Sequence, residues 1–155
     1  MHEQAEHTEQ ASGSLTVETD LGPALLQVAT AMEEHAEDEA EREATAALAV
    51  RHTLPAAEVA ALTNRLLTRV EGLAVGIEYI PVCRRSDRGV GVLARWETLK
   101  AKGPAPDPLG NWSYMRDLAH LTRDMVRVLR EHRAAERPKA FVGRPDRPHL
   151  TPGAP

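Results

Sequence analysis

The sequence predicts an all-α protein, a four-helix bundle with disordered N- and C-terminal tails. Hydrophobic residues make up 42% of the 155 residues, enough for one core, but aromatic residues make up only 3%. Because strands favour β-branched and aromatic residues, a core of Leu, Val and Ala favours helices. Apolar residues also recur at spacings of three and four in successive stretches, which is the helical pattern.

One helical domain is predicted over residues 20–135, between two tails. Residues 1–19 are polar and acidic, and residues 136–155 are basic and hold five of the eleven prolines, so both are predicted to be disordered. The N-terminus lacks the basic start and apolar middle of a secretory signal, and no apolar run approaches the length of about 18 residues that spans a membrane. We therefore expect a cytoplasmic protein with no membrane partner.

The first helix is predicted over about residues 23–51. Asp20 or Gly22 is a suitable cap, and Pro23 suits a first turn. An apolar stripe opens the helix at spacings of four, three and four: Leu21, Leu25, Val28 and Met32. Seven acids then fall between residues 33 and 43, where alanines keep only a thin small face. We expect the ends of this helix to be well packed and its middle to be solvated or laid against a basic surface.

The second helix is predicted over about residues 54–80. Thr53 is placed to cap it, with Pro55 inside its first turn. Apolar residues recur through this stretch at spacings of three and four, and the phase is kept despite two glycines. Pro81 then ends the helix, because a proline disfavours helical geometry in the residue before it.

The third helix is predicted over about residues 87–101, with Ser86 or Asp87 as its cap. Its buried face is expected to contain Val92, Leu93, Trp96 and Leu99. Gly103, followed by a proline, is a helix stop. The stretch "GPAPDPLGN" that begins at this glycine predicts a rigid loop.

The fourth helix is predicted over about residues 112–135, starting at Asn111 or Ser113. Its apolar residues step by four, three, four and three: Tyr114, Leu118, Leu121, Met125 and Val128. Neighbouring residues widen this stripe into the broad apolar face that is typical of a helix in a bundle. The helix is therefore expected to supply much of the core.

Four arginines lie on the opposite side of the fourth helix: Arg116, Arg123, Arg127 and Arg130. One interpretation is an ordinary solvated face, on which Arg127 pairs with Asp124 and Glu131 of the same helix. The other is an interaction face that binds phosphate or an acidic protein surface. Trp112 and Tyr114, at the start of the helix, either pack the end of the bundle or act as anchors for a partner.

Charge is distributed unequally along the chain. Residues 1–50 hold twelve acids and one base, a net charge of −11, whereas residues 51–155 hold eleven acids and eighteen bases, a net charge of +7. Such a split predicts that the two parts attract each other, within one chain or between two chains. The acidic residues 33–43 are then an internal competitor for the arginine face of the last helix.

Cys83 is the only cysteine, which excludes an internal disulfide and a multi-cysteine zinc site. It lies among arginines ahead of a predicted helix, and both features favour the thiolate, so it is a candidate reactive thiol. Other catalytic patterns are incomplete: "GVGVLA" lacks the second strand of a dinucleotide site, and Asp117 with His120 is one half-motif of a di-metal bundle. We expect no catalytic set, no metal and no cofactor.

Three stretches carry a resemblance to known proteins: "RLLTRVEGLAVGIEYIP", "GVGVLARWETLKAKGP" and "GNWSYMRDLAHLTRDMVRVL". In their layout and their Ala/Arg/Leu-rich style, residues 54–132 resemble small all-helical actinobacterial proteins of unknown function associated with natural-product gene clusters. The resemblance covers about half the chain and carries no catalytic residues over to it. It implies an accessory or regulatory role rather than an enzymatic one.

The leading hypothesis is a small non-enzymatic interaction or regulatory protein that acts through helix-mediated protein–protein contacts, by self-association or with another protein. The charge split and the absence of a convergent catalytic set favour it. The alternative is a nucleic-acid-binding regulator that uses the arginine face, masked by the acidic first helix. A third hypothesis is an enzyme that uses Cys83.

Overall fold

The computed structural model describes residues 21–51 and 54–137. Within these ranges the chain forms four α-helices and no strand, which confirms the predicted all-α class. The helices are α1 (Leu21–Ala49), α2 (Ala56–Glu78), α3 (Asp87–Lys102) and α4 (Pro108–Glu136), and a 3₁₀ turn, Val82–Arg84, joins α2 to α3. The predicted N-terminal tail, and the predicted C-terminal tail from residue 138 onward, lie outside the described residues. No helix in the described part of the chain is long and apolar enough to cross a membrane.

Helix α4 packs against both α2 and α3, which also contact each other. Its predicted broad apolar face is confirmed, since nine of its residues are buried. Eight of the nine largest fully buried side chains of the described residues are aliphatic or Met, including Leu66, Ile77, Leu118 and Met125, and the ninth is Thr122. The core is therefore built as the composition predicts, from tightly packed aliphatic side chains.

The ends of α3 follow the sequence signals. The backbone N–H of Gly89 donates to the Ser86 hydroxyl at 3.1 Å, so Ser86 caps the helix as predicted. Gly103 ends the helix with a φ of 63°, in the left-handed region that favours glycine. The predicted stop at Gly103 is thereby confirmed.

The predicted start of α4 at Asn111 or Ser113 was wrong, because the helix begins at Pro108. Asp107 caps it: the Gly110 backbone N–H donates to the Asp107 carboxylate at 2.8 Å. Proline suits the first helical position, since its missing N–H would be unsatisfied there in any case. The Asp-Pro pair was a start signal inside a stretch whose composition resembles a loop.

The other helix limits differ from the predicted ones by up to two residues, within the usual fraying of helix ends. Gly22 lies inside α1 and is not its cap. Pro55 immediately precedes α2 instead of lying inside its first turn. The two other predicted caps, Asp20 and Thr53, lie outside the described residues.

The chain divides into two compact units after Glu34. In the unit that begins at His35, Ala40, Ala44 and Ala47 of α1 are buried in the core. In residues 21–34, the large apolar side chains of α1 are exposed. The prediction that both ends of the first helix are well packed was therefore wrong at its N-terminal end.

Candidate functional site

The middle of α1 is bound to the bundle through a face of alanines. Ala40, Ala44 and Ala47 follow one another at spacings of four and three, which places them on one side of the helix, and none is more than 1% exposed. Alanine has little surface to bury, at roughly 0.8 kcal/mol per CH₂ group. The acidic side chains on either side of these alanines supply further contacts.

On one side of the alanine face, α1 is bound to α2 by Arg69. Its guanidinium donates to Glu39 at 3.0 Å and to Glu43 at 3.2 Å. Hydrogen bonding to Glu43 raises the pKa of Arg69 above the usual arginine value. The guanidinium thus remains charged and bridges two carboxylates one helical turn apart.

On the other side of the alanine face, α1 is bound to α4. Arg130 donates to Asp38 at 2.7 Å and to Glu41 at 2.5 Å, and its pKa is raised by hydrogen bonding to Glu41. The buried carboxylate of Glu37 accepts a hydrogen bond from Arg133 and lies 3.7 Å from the Nε of Arg130. Of the two alternatives for the acidic middle of this helix, solvated or laid against a basic surface, the structure has the second, and the contact is within one chain.

The four predicted arginines of α4 separate into two pairs. Arg116 and Arg130 are half-buried and contact α1: Arg116 donates to the Leu48 backbone carbonyl at 3.4 Å, and Arg130 bonds the carboxylates described above. Arg123 and Arg127 are exposed, and no described residue pairs with them. Of the predicted interaction face, only the second pair is open to a partner.

The expected pairing of Arg127 with Asp124 and Glu131 was wrong. Both carboxylates bond to arginines of α3: Asp124 to Arg95 at 2.7 Å and Glu131 to Arg88 at 2.5 Å. Helix α3 packs along this side of α4, so its long side chains reach carboxylates that sequence spacing alone assigns to neighbours on the same helix.

The two aromatic candidates at the start of α4 pack inward. Tyr114 is 3% exposed, and its burial raises the pKa of the phenol. Trp112 is half-buried and packs against the core. Both side chains therefore close the bundle at this end, which is the first of the two roles that the sequence left open.

Cys83 is exposed on the 3₁₀ turn. Its arginine neighbours are directed to other groups, because Arg84 bonds Glu136 at 3.1 Å and Arg85 donates to the Glu78 carbonyl at 2.9 Å. Among residues 21–51 and 54–137, no cluster of His, Cys, Asp and Glu side chains could hold a metal ion.

Five of the ten exposed large apolar side chains of the described residues lie in residues 21–34 of α1, and four of them form a row along the helix. We call it the apolar row, and its members are Leu21, Leu25, Val28 and Met32, which are 64%, 59%, 56% and 68% exposed. Their spacing of four, three and four alternates between the two core positions of a heptad repeat. The positions that flank the row are small: Gly22, Ala24, Ala29 and Ala31. The row therefore has the residue spacing of a coiled-coil seam.

Sequence reasoning missed Arg69 and Arg133, which complete the contacts of α1. A signal was present: acidic residues four apart flank the alanines in two rows, Glu37 with Glu41 and Glu39 with Glu43. Two acidic rows require basic residues on two neighbouring helices. The arginines themselves could not be chosen without knowing which helices those are.

No family model, curated protein or solved structure matches the chain. The resemblance of residues 54–132 to small actinobacterial proteins therefore stays a prediction. Two exposed surfaces of the described residues are candidates for binding: the apolar row of α1 and the arginine pair Arg123 and Arg127 of α4.

Proposed function

We propose that this chain is a small non-enzymatic interaction protein that binds a helical polypeptide through the apolar row of α1. The supporting observation is that four large apolar side chains, each more than half exposed, follow one another along a single helix. Apolar surface gains free energy when it leaves water, and contiguous exposed patches mark interaction sites. A helix in an apolar groove or seam is a common mode of such recognition.

The contacts of α1 in the second unit support the same proposal. The carboxylates of α1 that follow Glu34 are bound by arginines of α2 and α4, and the alanines between them are buried. The helix is thereby anchored in the fold without using the apolar row. A helix that is already formed loses less conformational entropy on binding than a segment that must first fold.

The proposal is tested with two substitutions at neighbouring positions. Leu25 belongs to the row, whereas Leu26 is 69% exposed but lies off the row by its heptad position. With the tagged full chain as bait in native lysate, Leu25→Glu should lower recovery of a stoichiometric polypeptide at least about tenfold, because a charge is buried in the contact. The retained polypeptides are identified and quantified by mass spectrometry.

Leu26→Glu is the matched control, with the same change of charge and volume and similar exposure. It should leave recovery within about twofold of the wild-type chain, as is usual for a substitution outside an interface. Equal loss in both variants would reject a contact through the row. Recovery that neither substitution changes would reject it as well.

A second candidate function is nucleic-acid binding through α4, favoured by the exposure of Arg123 and Arg127. The two guanidiniums lie one helical turn apart, and neither pairs with a described residue. Arg130, close by on the same helix, is bound to acidic residues of α1, so the acidic segment covers only part of the predicted arginine face.

If this second function holds, a fluorescent DNA duplex should bind the chain at low salt, and Arg123→Gln/Arg127→Gln should reduce the log–log salt slope by about two. Arg65→Gln, an exposed arginine on α2, is the control and should leave the slope unchanged. Asp38→Asn/Glu41→Gln should strengthen binding by releasing Arg130. Absence of binding in low salt would exclude the function.

A further inference from the structure

We propose that the apolar row binds a second copy of this chain, and that residues 21–34 of the two copies pair in antiparallel direction. The inference rests on the proposed function, of which it names the partner. A two-fold symmetric interface uses the same patch of both chains, so that patch must complement itself. The row and its surroundings meet this requirement in shape, in area and in charge.

The row fits a copy of itself in shape. Side chains at a spacing of four, three and four pack best between side chains at the same spacing on a facing helix, as in a coiled-coil seam. In antiparallel pairing, Leu21 faces Met32 of the other copy and Leu25 faces Val28. The flanking positions are glycine or alanine, among them Ala24 and Ala29, so the two backbones can approach closely.

The row also supplies the area that a dimer needs. At the observed exposures, its four side chains present on the order of 500 Å² of apolar surface, about the largest patch that a typical monomer carries. Two copies would bury at most on the order of 1,000 Å² between them, the lower limit for a specific interface. Area alone does not set the affinity, but an interface at this lower limit is expected to be weak, with a dissociation constant on the order of micromolar.

Charge selects both the partner and the direction. Within residues 21–34 the charged side chains are Glu33 and Glu34, and none lies in the row or beside it. A partner helix with charged flanks would therefore find no opposite charge there, whereas a second copy brings the same uncharged flanks.

Parallel pairing would place Glu33 and Glu34 of one copy beside those of the other. Antiparallel pairing moves the two acidic pairs to opposite ends of a row roughly 16 Å long, at 1.5 Å per residue. That separation exceeds the Debye length of about 8 Å at physiological salt. Each acidic pair then lies near the start of the other helix, where the helix dipole favours negative charge. Asp20 immediately precedes that start in the sequence, so the antiparallel direction reduces like-charge contact without removing it.

The experiment is sedimentation equilibrium of the full chain from about 1 to 100 µM, a range that brackets the expected dissociation constant. The wild-type chain should show a monomer–dimer equilibrium. Leu25→Glu should raise the dissociation constant at least about 100-fold, because two charges enter one short apolar contact. Leu26→Glu should change it by less than about threefold. Circular dichroism establishes that both variants are folded.

Direction is tested by disulfide formation in a Cys83→Ser background. Chains with Leu21→Cys are mixed with chains with Met32→Cys and oxidised mildly. Antiparallel pairing predicts cross-links between unlike chains, since only there do the two sulfurs come within bonding reach. Cross-links between two copies of the same variant would overturn the antiparallel arrangement.

A chain that stays monomeric throughout this concentration range would overturn self-association, as would equal effects of the two glutamate variants. The proposed function fails separately. The wild-type chain could instead be monomeric and capture a different helical polypeptide. If Leu25→Glu loses that polypeptide and Leu26→Glu keeps it, the row is an interaction site for another protein. If neither self-association nor capture depends on Leu25, both proposals fail.

Discussion

Leu118→Ala should lower the free energy of unfolding by about 3–4 kcal/mol, the largest effect that we expect of any single substitution in this chain. Leu118 is fully buried on α4, the helix that packs against both α2 and α3. Its truncation removes the transfer free energy of the side chain and leaves a cavity that well-packed neighbours fill only in part. Urea denaturation followed by circular dichroism measures the change through the shift in midpoint.

Leu109→Ala is the matched control for this prediction. Leu109 lies on the same helix but is 76% exposed, so the same truncation removes few contacts. Its effect should remain within about 0.5 kcal/mol, as for most surface substitutions. Similar losses at Leu118 and Leu109 would show that the buried face of α4 is assigned wrongly.

Arg133→Met should lower the free energy of unfolding by about 3 kcal/mol, because it breaks an ion pair of a buried carboxylate. Glu37 is 5% exposed, and its carboxylate accepts a hydrogen bond from Arg133. The Nε of Arg130 lies 3.7 Å from the same carboxylate, which is longer than a hydrogen bond. Urea denaturation again gives the change, and Arg123→Met, an exposed arginine of the same helix, should change stability by less than about 0.5 kcal/mol.

The double variant Glu37→Leu/Arg133→Met separates the ion pair from the loss of side-chain volume. It removes the buried negative charge together with Arg133, whose Nη1 is buried without a hydrogen-bond partner among the described residues. Replacing both partners of a buried pair by apolar residues is often neutral, so stability should return to within about 1 kcal/mol of wild type. A double variant less stable than Arg133→Met would contradict this explanation.

The fold class and the positions of the four helices could be predicted from the sequence because helical periodicity is a local property. The cap at Ser86 and the stop at Gly103 were predictable for the same reason. The start of α4 was missed because Pro, Gly and Asp serve both loops and helix starts. The Asp107 cap shows that residue order within such a stretch outweighs its composition.

The contacts of the arginines depend on tertiary neighbours, and this is where sequence reasoning was least complete. The attraction between the acidic first helix and the basic last helix follows from charge alone. The choice of Arg130 and Arg133 over Arg123 and Arg127 depends on which side of α4 faces α1, which spacing does not encode. For the same reason, Arg69 of α2 could not be selected in advance.

The apolar row shows what helical periodicity does not predict, namely which surface covers an apolar face. Its periodicity was evident, and an apolar stripe is usually covered by the chain's own core. The structure leaves Leu21 and Met32 more than 60% exposed. A pattern shows that a face is apolar, but whether the covering surface belongs to the same chain or to another is decided by the arrangement of whole helices.

The placement of the tryptophans determines which helices each optical signal of unfolding follows. Trp96 lies on α3 and Trp112 on α4, whereas α1 contains no aromatic residue in its 29 positions. Intrinsic fluorescence therefore follows the junction of α3 and α4, while far-ultraviolet ellipticity includes the long first helix. If α1 unfolds together with the bundle, the two signals coincide during denaturation, as a two-state transition requires. If α1 separates earlier, ellipticity falls while fluorescence is still native.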